Sequence, residues 1–423
     1  MTDKKIVIVG GGFAGLSAAK ELGGKKGIHV TVIDKRNYHL FQPLLYQVAM
    51  AGLSPSEIAS PIRGLLSSYK NTEVMLGQVS SLDLNGQWVK VGVDKVPYDY
   101  LILACGAKHS YFGHEEWEEQ APGLKTVEQA TEIRRRVLTA FELAETEHDP
   151  VMRKRLLTFI VIGGGPTGVE LAGAMGEISR FTLSKDFRHI DPNQARVILI
   201  EAGPRILAGF SEESSKRAAR SLEKLGVQIW TSSPVNNITD EGIQIDDEFF
   251  HAKTVMWAAG VKPSSLNKIL GGELDKQGRI IIAEDLSLKH KPNVFVLGDQ
   301  AAFPTSENTY LPGLAPVATQ QGKHAAKNIL ADLDQKPRKP FHYLDKGQMA
   351  TIGRQSAVLE VGKLKLSGMI AWYAWLLVHI YYLIGFRNKL LVLIQWAWHY
   401  LSYSRGSRLI VPKEWRFYKG KKE

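Results

Sequence analysis

Two glycine clusters are where this chain can do chemistry. Gly10, Gly12 and Gly15 stand at G-x-G-x-x-G spacing directly after the apolar run Ile6 to Val9, and the next apolar run, Val30 to Ile33, ends in Asp34. Strand, glycine turn, helix start and acid together make a dinucleotide cradle. Gly10 permits the tight turn, Gly12 lets the backbone approach a pyrophosphate, Gly15 lets the helix pack on the strand, and Asp34 accepts from a ribose. The pattern recurs at Gly163, Gly165 and Gly168, which follow Phe159 to Ile162; the strand Arg196 to Ile200 then ends in Glu201. That acid comes 38 positions after Gly163, where about 20 is usual, and the polar stretch Phe181 to Ala195 fills the excess as an insertion. An acid at that place suits a free ribose 2′-hydroxyl and repels a 2′-phosphate, which points to NAD(H), with Arg205 keeping NADP(H) open. Glu170 has two readings. It is either an acid favoured near a helix N-terminus by the macrodipole, or, because a bound pyrophosphate already occupies that terminus, a carboxylate turned toward the nicotinamide.

The elements that must position these residues are legible as runs. Lys5 to Val9, Phe159 to Ile162 and Val294 to Leu297 are short, β-branched and apolar, as buried parallel strands are, and they alternate with helical stretches such as Ala14 to Leu22 and Val169 to Ile178. The fold class expected is α/β, with two Rossmann-like dinucleotide-binding domains. Arg134 to Arg155, rich in charge, reads as a surface helix leading into the second domain. Cys105 is the only cysteine of 423 residues, so disulfide exchange and cysteine-based zinc or iron–sulfur centres are excluded, and it reads as a small buried hydrophobe. The N-terminus carries no run long enough for a secretory signal, which predicts a chain that starts in the cytosol.

The tail differs from the rest. Residues 363–423 hold eleven Lys or Arg against two Glu, and five of the nine tryptophans. A basic tail could serve nucleic acid, but apolar runs with Trp and Tyr suit a membrane interface better, and no nucleic-acid partner is expected. Gly368 to Phe386 has no charged residue over 19 positions; in the second run, Leu390 to Leu401 with its approach, Asn388, Gln395, His399 and Ser402 share one helical face. An amphipathic anchor in the membrane plane fits this pattern better than a spanning helix, with a buried core helix as a third reading.

A later motif decides which dinucleotide the first site takes. Asn293 to Asp299, a strand ending in Gly298-Asp299, resembles the second FAD motif of two-dinucleotide-domain flavoproteins, in which the Asp bonds the ribityl chain; the other reading of Asp299 is a helix cap. Tyr100 to Gly106 is similar to the strand-to-glycine connection of that fold. FAD at the first site and NAD at the second would make a hydride relay. Over nearly its whole length the chain further resembles the type II NADH:quinone oxidoreductases, through both fingerprints, Asn37 to Gln47, Gly298-Asp299 and Ala315 to Gly322. Of that family's A-Q-x-A-x-Q motif, Ala315, Ala318 and Gln320 match, while Pro316 replaces the first Gln.

The resemblance implies a non-proton-pumping enzyme in which FAD is held by Gly10, Gly12, Gly15, Asp34, Gln42, Gly298 and Asp299, and NAD by Gly163, Gly165, Gly168 and Glu201. Gln320 and Pro316 would line a quinone site, and Gln320 would act in catalysis together with Glu170, if that carboxylate is turned toward the nicotinamide as its charge suggests. It also implies a C-terminal monotopic anchor, a homodimer, and a place on the cytoplasmic face of the inner membrane beside the quinone pool. The domains expected are residues 1–115 with 290–330 for FAD, 116–289 for NAD(H), and 331–423 for the anchor. Two other readings stay open: a reductase of a soluble acceptor such as ferredoxin, and a membrane-docked flavoprotein that senses NADH. A sulfide:quinone oxidoreductase would need a cysteine pair that a single Cys105 cannot supply.

Overall fold

A computed structural model describes residues 3–306, 309–402 and 406–411, with the side chains of 399–402 outside the description. The chain forms two compact units: Met1–Leu40 with Ala59–His109 and Val261–Lys346, and Phe41–Ile58 with Ser110–Gly260 and Gly347–Glu423.

In the first unit a six-stranded sheet has the order Ser287–Leu288, Lys291–Val296, Tyr100–Leu103, Lys4–Val9, Ile28–Asp34, Thr72–Leu76. The neighbours of Lys4–Val9 are parallel to it, Ile6 facing both Val30 and Tyr100. Ile6, Ile8, Val30, Val32, Leu101 and Phe295 are fully buried, which explains why these strands read as unbroken apolar runs. The fingerprint helix Phe13–Leu22 lies against Ala315–Leu333 so closely that a Cβ at Gly322 would overlap the Ala14 carbonyl oxygen.

The second unit repeats the scheme with a four-stranded parallel sheet, Val227–Trp230, Arg196–Ile200, Thr158–Ile162, Thr254–Trp257. Its fingerprint helix, Pro166–Glu177, runs on into a π-helical turn, Ile178–Thr182, which opens the insertion. A three-stranded antiparallel sheet, Gln348–Thr351, Ala357–Val361, Leu364–Gly368, packs on that helix, and a Cβ at Gly173 would stand 3.0 Å from the Ile352 carbonyl.

The compact units divide the chain by its own packing. Ala107–His109 pairs with Val261–Pro263, and Asn267 donates to the Gln300 carbonyl at 3.0 Å, which keeps residues 261–289 with the first unit; Gly347 onward belongs with the second. Arg134 to Arg155 is not one surface helix but parts of two helices, Val127–Thr146 and Pro150–Leu156, the first burying Ala130, Ile133, Val137 and Phe141 at helical spacing. In the tail, Gly385 at φ 88° separates Met369–Tyr382 from Phe386–Ser402, and among the described residues no helix is long and apolar enough to cross a membrane. In the second tail helix Asn388 and Trp396 are buried and Gln395 donates to Glu57, while Leu390, Leu393, Ile394 and Trp398 are exposed. His399 and Ser402 have side chains outside the description.

Gly322→Ala tests the helix contact by its sign. On an open helix face Ala would stabilise by about 1 kcal/mol; against the Ala14 carbonyl, overpacking should instead cost about 1–3 kcal/mol. A raised urea or thermal midpoint would contradict the packing.

Candidate active site

The two cradles are built alike. Gly10 and Gly163 adopt φ 105° and 110°, which a side chain would oppose, and a Cβ on Gly15 or Gly168 would overlap the Gly10 or Gly163 carbonyl oxygen. Gly12 and Gly165 face open space, with nothing within 4 Å of where their Cβ would be, and no side chain caps either helix start. Uncapped N-termini beside open glycine faces suit pyrophosphate groups. Each acid is aimed by two backbone donors. Asp34 accepts from Gly11 N at 2.6 Å and Arg36 N at 2.7 Å, and Glu201 from Gly164 N at 2.6 Å and Gly203 N at 2.7 Å. Every oxygen so used keeps a lone pair for a ribose hydroxyl. The insertion therefore lengthens the sequence spacing to Glu201 without altering the site.

The sheet strand beside each cradle supplies its floor. Gly10 lies over Ala104 and Gly163 over Ala258, and the strands leave through Gly106 and Gly260 at φ 66° and 65°. Leu103-Ala104-Cys105-Gly106 thus has a counterpart in Trp257-Ala258-Ala259-Gly260, a repeat that the sequence carries and the reading by fingerprints alone passes over. His39 is a second omission: 2% exposed, it bonds Gly11 O through Nδ1 at 2.9 Å from behind the first glycine turn.

Gly298 takes φ 70° and donates its N–H to Gln321 Oε1 at 2.7 Å, with Asp299 following beside Gly313. Buried Gln321 holds this turn, although Gln320 drew attention in the sequence. Gln320 itself exchanges two hydrogen bonds with the Leu344 backbone, both 3.0 Å. Pro316 sits in the first turn of Ala315–Leu333, where a missing N–H costs nothing. These residues, with the first glycine cluster and Asp34, lie in the first unit. Gln42, which donates to Lys125 O at 3.3 Å, lies in the second with Glu170 and the second cradle. Burial pushes the Cys105 thiol up to about 12, so it supplies no nucleophile.

Glu170 lies beyond the first turn of its helix, so the macrodipole does not account for it. Its carboxyl accepts from the Thr351 backbone, and surrounding protein pushes its pKa up to about 8 against that bond. It lines a pocket of about 40 Å³ with Tyr46, Gln47, Glu177, Arg354 and Trp396. There Gln47 is fixed from both ends, donating to Tyr46 Oη at 2.9 Å and accepting from Trp396 Nε1 at 2.8 Å. The pocket is thus a small polar chamber, large enough for water, around a carboxyl that keeps its proton at neutral pH. Arg205 is used within its own loop, donating to the carbonyls of Leu207, Ala208 and Phe210 at 3.2, 2.7 and 2.9 Å, which leaves it ill placed to pair with a 2′-phosphate.

Two duplicated cradles of this kind define a two-dinucleotide oxidoreductase, and the pyridine nucleotide-disulphide oxidoreductase family model matches residues 4–322, with the NDH2 C-terminal domain matching 346–404. The chain is 43% identical over 426 residues to the type II NADH:quinone oxidoreductase Ndh of Mycobacterium tuberculosis, covering 97% of this chain and 91% of the relative. It is 31% identical over 367 residues to the type II NADH:quinone oxidoreductase of Staphylococcus aureus strain NCTC 8325, covering 84% and 89%. In fold it is similar to NDH2 from Plasmodium falciparum in complex with NADH, with a TM-score of 0.87 at 20% identity over 97% of this chain and all of that one. The chain belongs to the type II NADH:quinone oxidoreductase family.

Two outcomes follow from this geometry. The folded chain keeps the Glu170 proton up to about pH 8, while the unfolded chain releases it near 4.5, so within that window folded protein binds more protons and stability falls as pH rises. Glu170→Gln, always neutral, should therefore gain thermal midpoint relative to the parent from about pH 5 to about pH 8; a constant difference would contradict the shift. Glu201→Gln should narrow the kcat/KM preference for NADH over NADPH by about tenfold, equivalent to about 1.4 kcal/mol. An unchanged ratio would refute the ribose assignment.

Proposed function

We propose that the chain oxidises NADH and reduces a quinone drawn from a lipid surface, on which its two C-terminal helices dock at the cytoplasmic face of the inner membrane, and that it works there as a homodimer without pumping protons. As a type II NADH:quinone oxidoreductase it is an FAD-dependent enzyme with NADH as donor and quinone as acceptor. When bound, FAD supplies a two-electron centre between a hydride donor and a quinone. The residues of the first cradle with Gly298 and Asp299 would hold FAD, joined by Gln42; those of the second, with Glu201, would hold NADH. Glu170 is assigned beside the nicotinamide, where its carboxyl can hold a proton at neutral pH. Gln320 and Pro316 are the quinone candidates, Gln320 acting through a helix that its bonds to Leu344 hold in place.

One observation carries the membrane part of this reading. The tail helices are amphipathic in the sense opposite to a soluble surface helix: Asn388 and Gln395 turn into the protein, while Ile370, Tyr373, Leu377, Tyr381, Ile394 and Trp398 are each more than half exposed, at 55–71%. A contiguous run of such side chains, rich in Trp and Tyr and flanked by cations, favours the headgroup boundary of a bilayer. A soluble acceptor gives that surface no purpose. The test is the double variant Leu377→Lys with Ile394→Lys. It should lose sedimentation with anionic vesicles and lose reduction of a long-chain quinone embedded in them, yet reduce a short-chain soluble quinone. Undiminished reduction of the embedded quinone would overturn the docking.

A further inference from the structure

The loop that follows Glu201 is gripped from a place remote in sequence. Residues 203–210 touch the second fingerprint directly: Gly203 N donates to Glu201 Oε1, Leu207 N donates to Gly164 O at 2.7 Å, and Ile206 Cγ2 would stand 3.0 Å from a Cβ on Gly164. Leu207 reaches its carbonyl partner only by adopting φ 50°, a conformation a branched side chain disfavours, so the loop has to be held. Arg205 braces it from within. From outside, two side chains directly opposite each other on neighbouring strands of the C-terminal sheet, Gln348 and Glu360, hold its far end. Gln348 Nε2 donates to Gly209 O at 2.7 Å, and Glu360 Oε1 accepts from Ser211 N at 3.0 Å and from the Ser211 and Ser214 hydroxyls at 2.6 Å each. Ser211 is the N-cap of Glu212–Lys224, so the carboxylate also sits where the start of that helix favours negative charge.

We propose that Glu360 is a positioning residue for NADH: through Ser211, and with Gln348 at Gly209, it fixes the loop that presents Glu201 and Gly164 to the adenosine ribose, so that the C-terminal sheet sets nucleotide affinity and the preference for NADH. The inference rests on the assignment of NADH to the second cradle. A residue acting this way changes how well nucleotide is bound and selected, without entering the redox steps. A residue needed only for folding would change the amount of competent enzyme and leave the KM of what remains unchanged.

The experiment uses the full-length, FAD-loaded enzyme with a short-chain soluble quinone, comparing NADH with NADPH and recording thermal midpoints. Glu360→Ala should raise the KM for NADH by about tenfold, hold kcat within about twofold, and narrow the NADH-to-NADPH preference. Glu360→Gln should recover most of the affinity, because an amide oxygen still accepts from Ser211 and Ser214. Ser367→Ala, on the same sheet, which removes a contact with Arg217 of the helix Glu212–Lys224, should leave KM unchanged. Should Glu360→Ala fail to fold, Gln348→Leu, which releases the Gly209 end and a longer contact with Glu360 (3.4 Å) but keeps the Glu360 bonds to Ser211 and Ser214, should still raise the KM. An unchanged KM in Glu360→Ala or Gln348→Leu, a fall in kcat alone in step with the thermal midpoint, or an unaltered nucleotide preference in Glu360→Ala would overturn the proposal. Failure of the underlying assignment is separable, since Glu201→Gln would then leave the NADH-to-NADPH preference of the parent unchanged.

Discussion

Everything in this chain is arranged around one steric constraint, met twice: the carbonyl of the first fingerprint glycine occupies the space where the third glycine would carry a side chain. Only a glycine lets the helix start come down onto the end of the strand, and only then does the uncapped N-terminus open toward the bare faces of Gly12 and Gly165. The acid at the end of the following strand is part of the same construction, because it accepts the N–H of Gly11 or Gly164, between the first two fingerprint glycines, and so is held at the mouth of the cradle. The placement of the acid comes from backbone geometry, and it survives an insertion between helix and strand because the insertion leaves before the strand begins.

A second arrangement concerns protons. Quinone reduction takes up protons as well as electrons, and among the described residues of the second unit Glu170 is the carboxyl with a strongly raised pKa, about 8, in a chamber large enough for water. Tyr46 and Gln47 come from a short helix, Leu45–Ala49, and Trp396 from the tail. The tail thus helps wall a titratable chamber while presenting its apolar side outward, so one helix serves both the interior and the exposed face.

The cradles were legible in the sequence because each is a local backbone device, with glycines at fixed offsets and an acid at a strand end. The parallel sheets were legible as unbroken apolar runs for the related reason that both their faces are buried. The tail's periodicity was legible too, but which face turns inward was not, since that depends on Gln47 and Glu57 receiving Trp396 and Gln395 from more than 300 residues away. The same reason hides Glu360, whose partners Ser211 and Ser214 are about 150 positions earlier. Gln321 escaped for a different reason: its neighbour Gln320 fits the family motif, whereas holding Gly298 N–H is visible only once the helix is placed. The tail was legible as two runs, but the turn between them falls at Gly385, whose positive φ comes just before the charged Arg387 that marks the break in the sequence.

The central claim is that one bound flavin joins NADH to a quinone, and an anaerobic rapid-mixing experiment tests it most directly. Mixed with NADH and no acceptor, the yellow holoenzyme should lose its visible flavin absorbance in a single turnover, and subsequent mixing with a quinone should restore it. A flavin that keeps its absorbance with excess NADH, or that is bleached but regains no colour with quinone while a soluble electron-carrier protein restores it, would contradict the account.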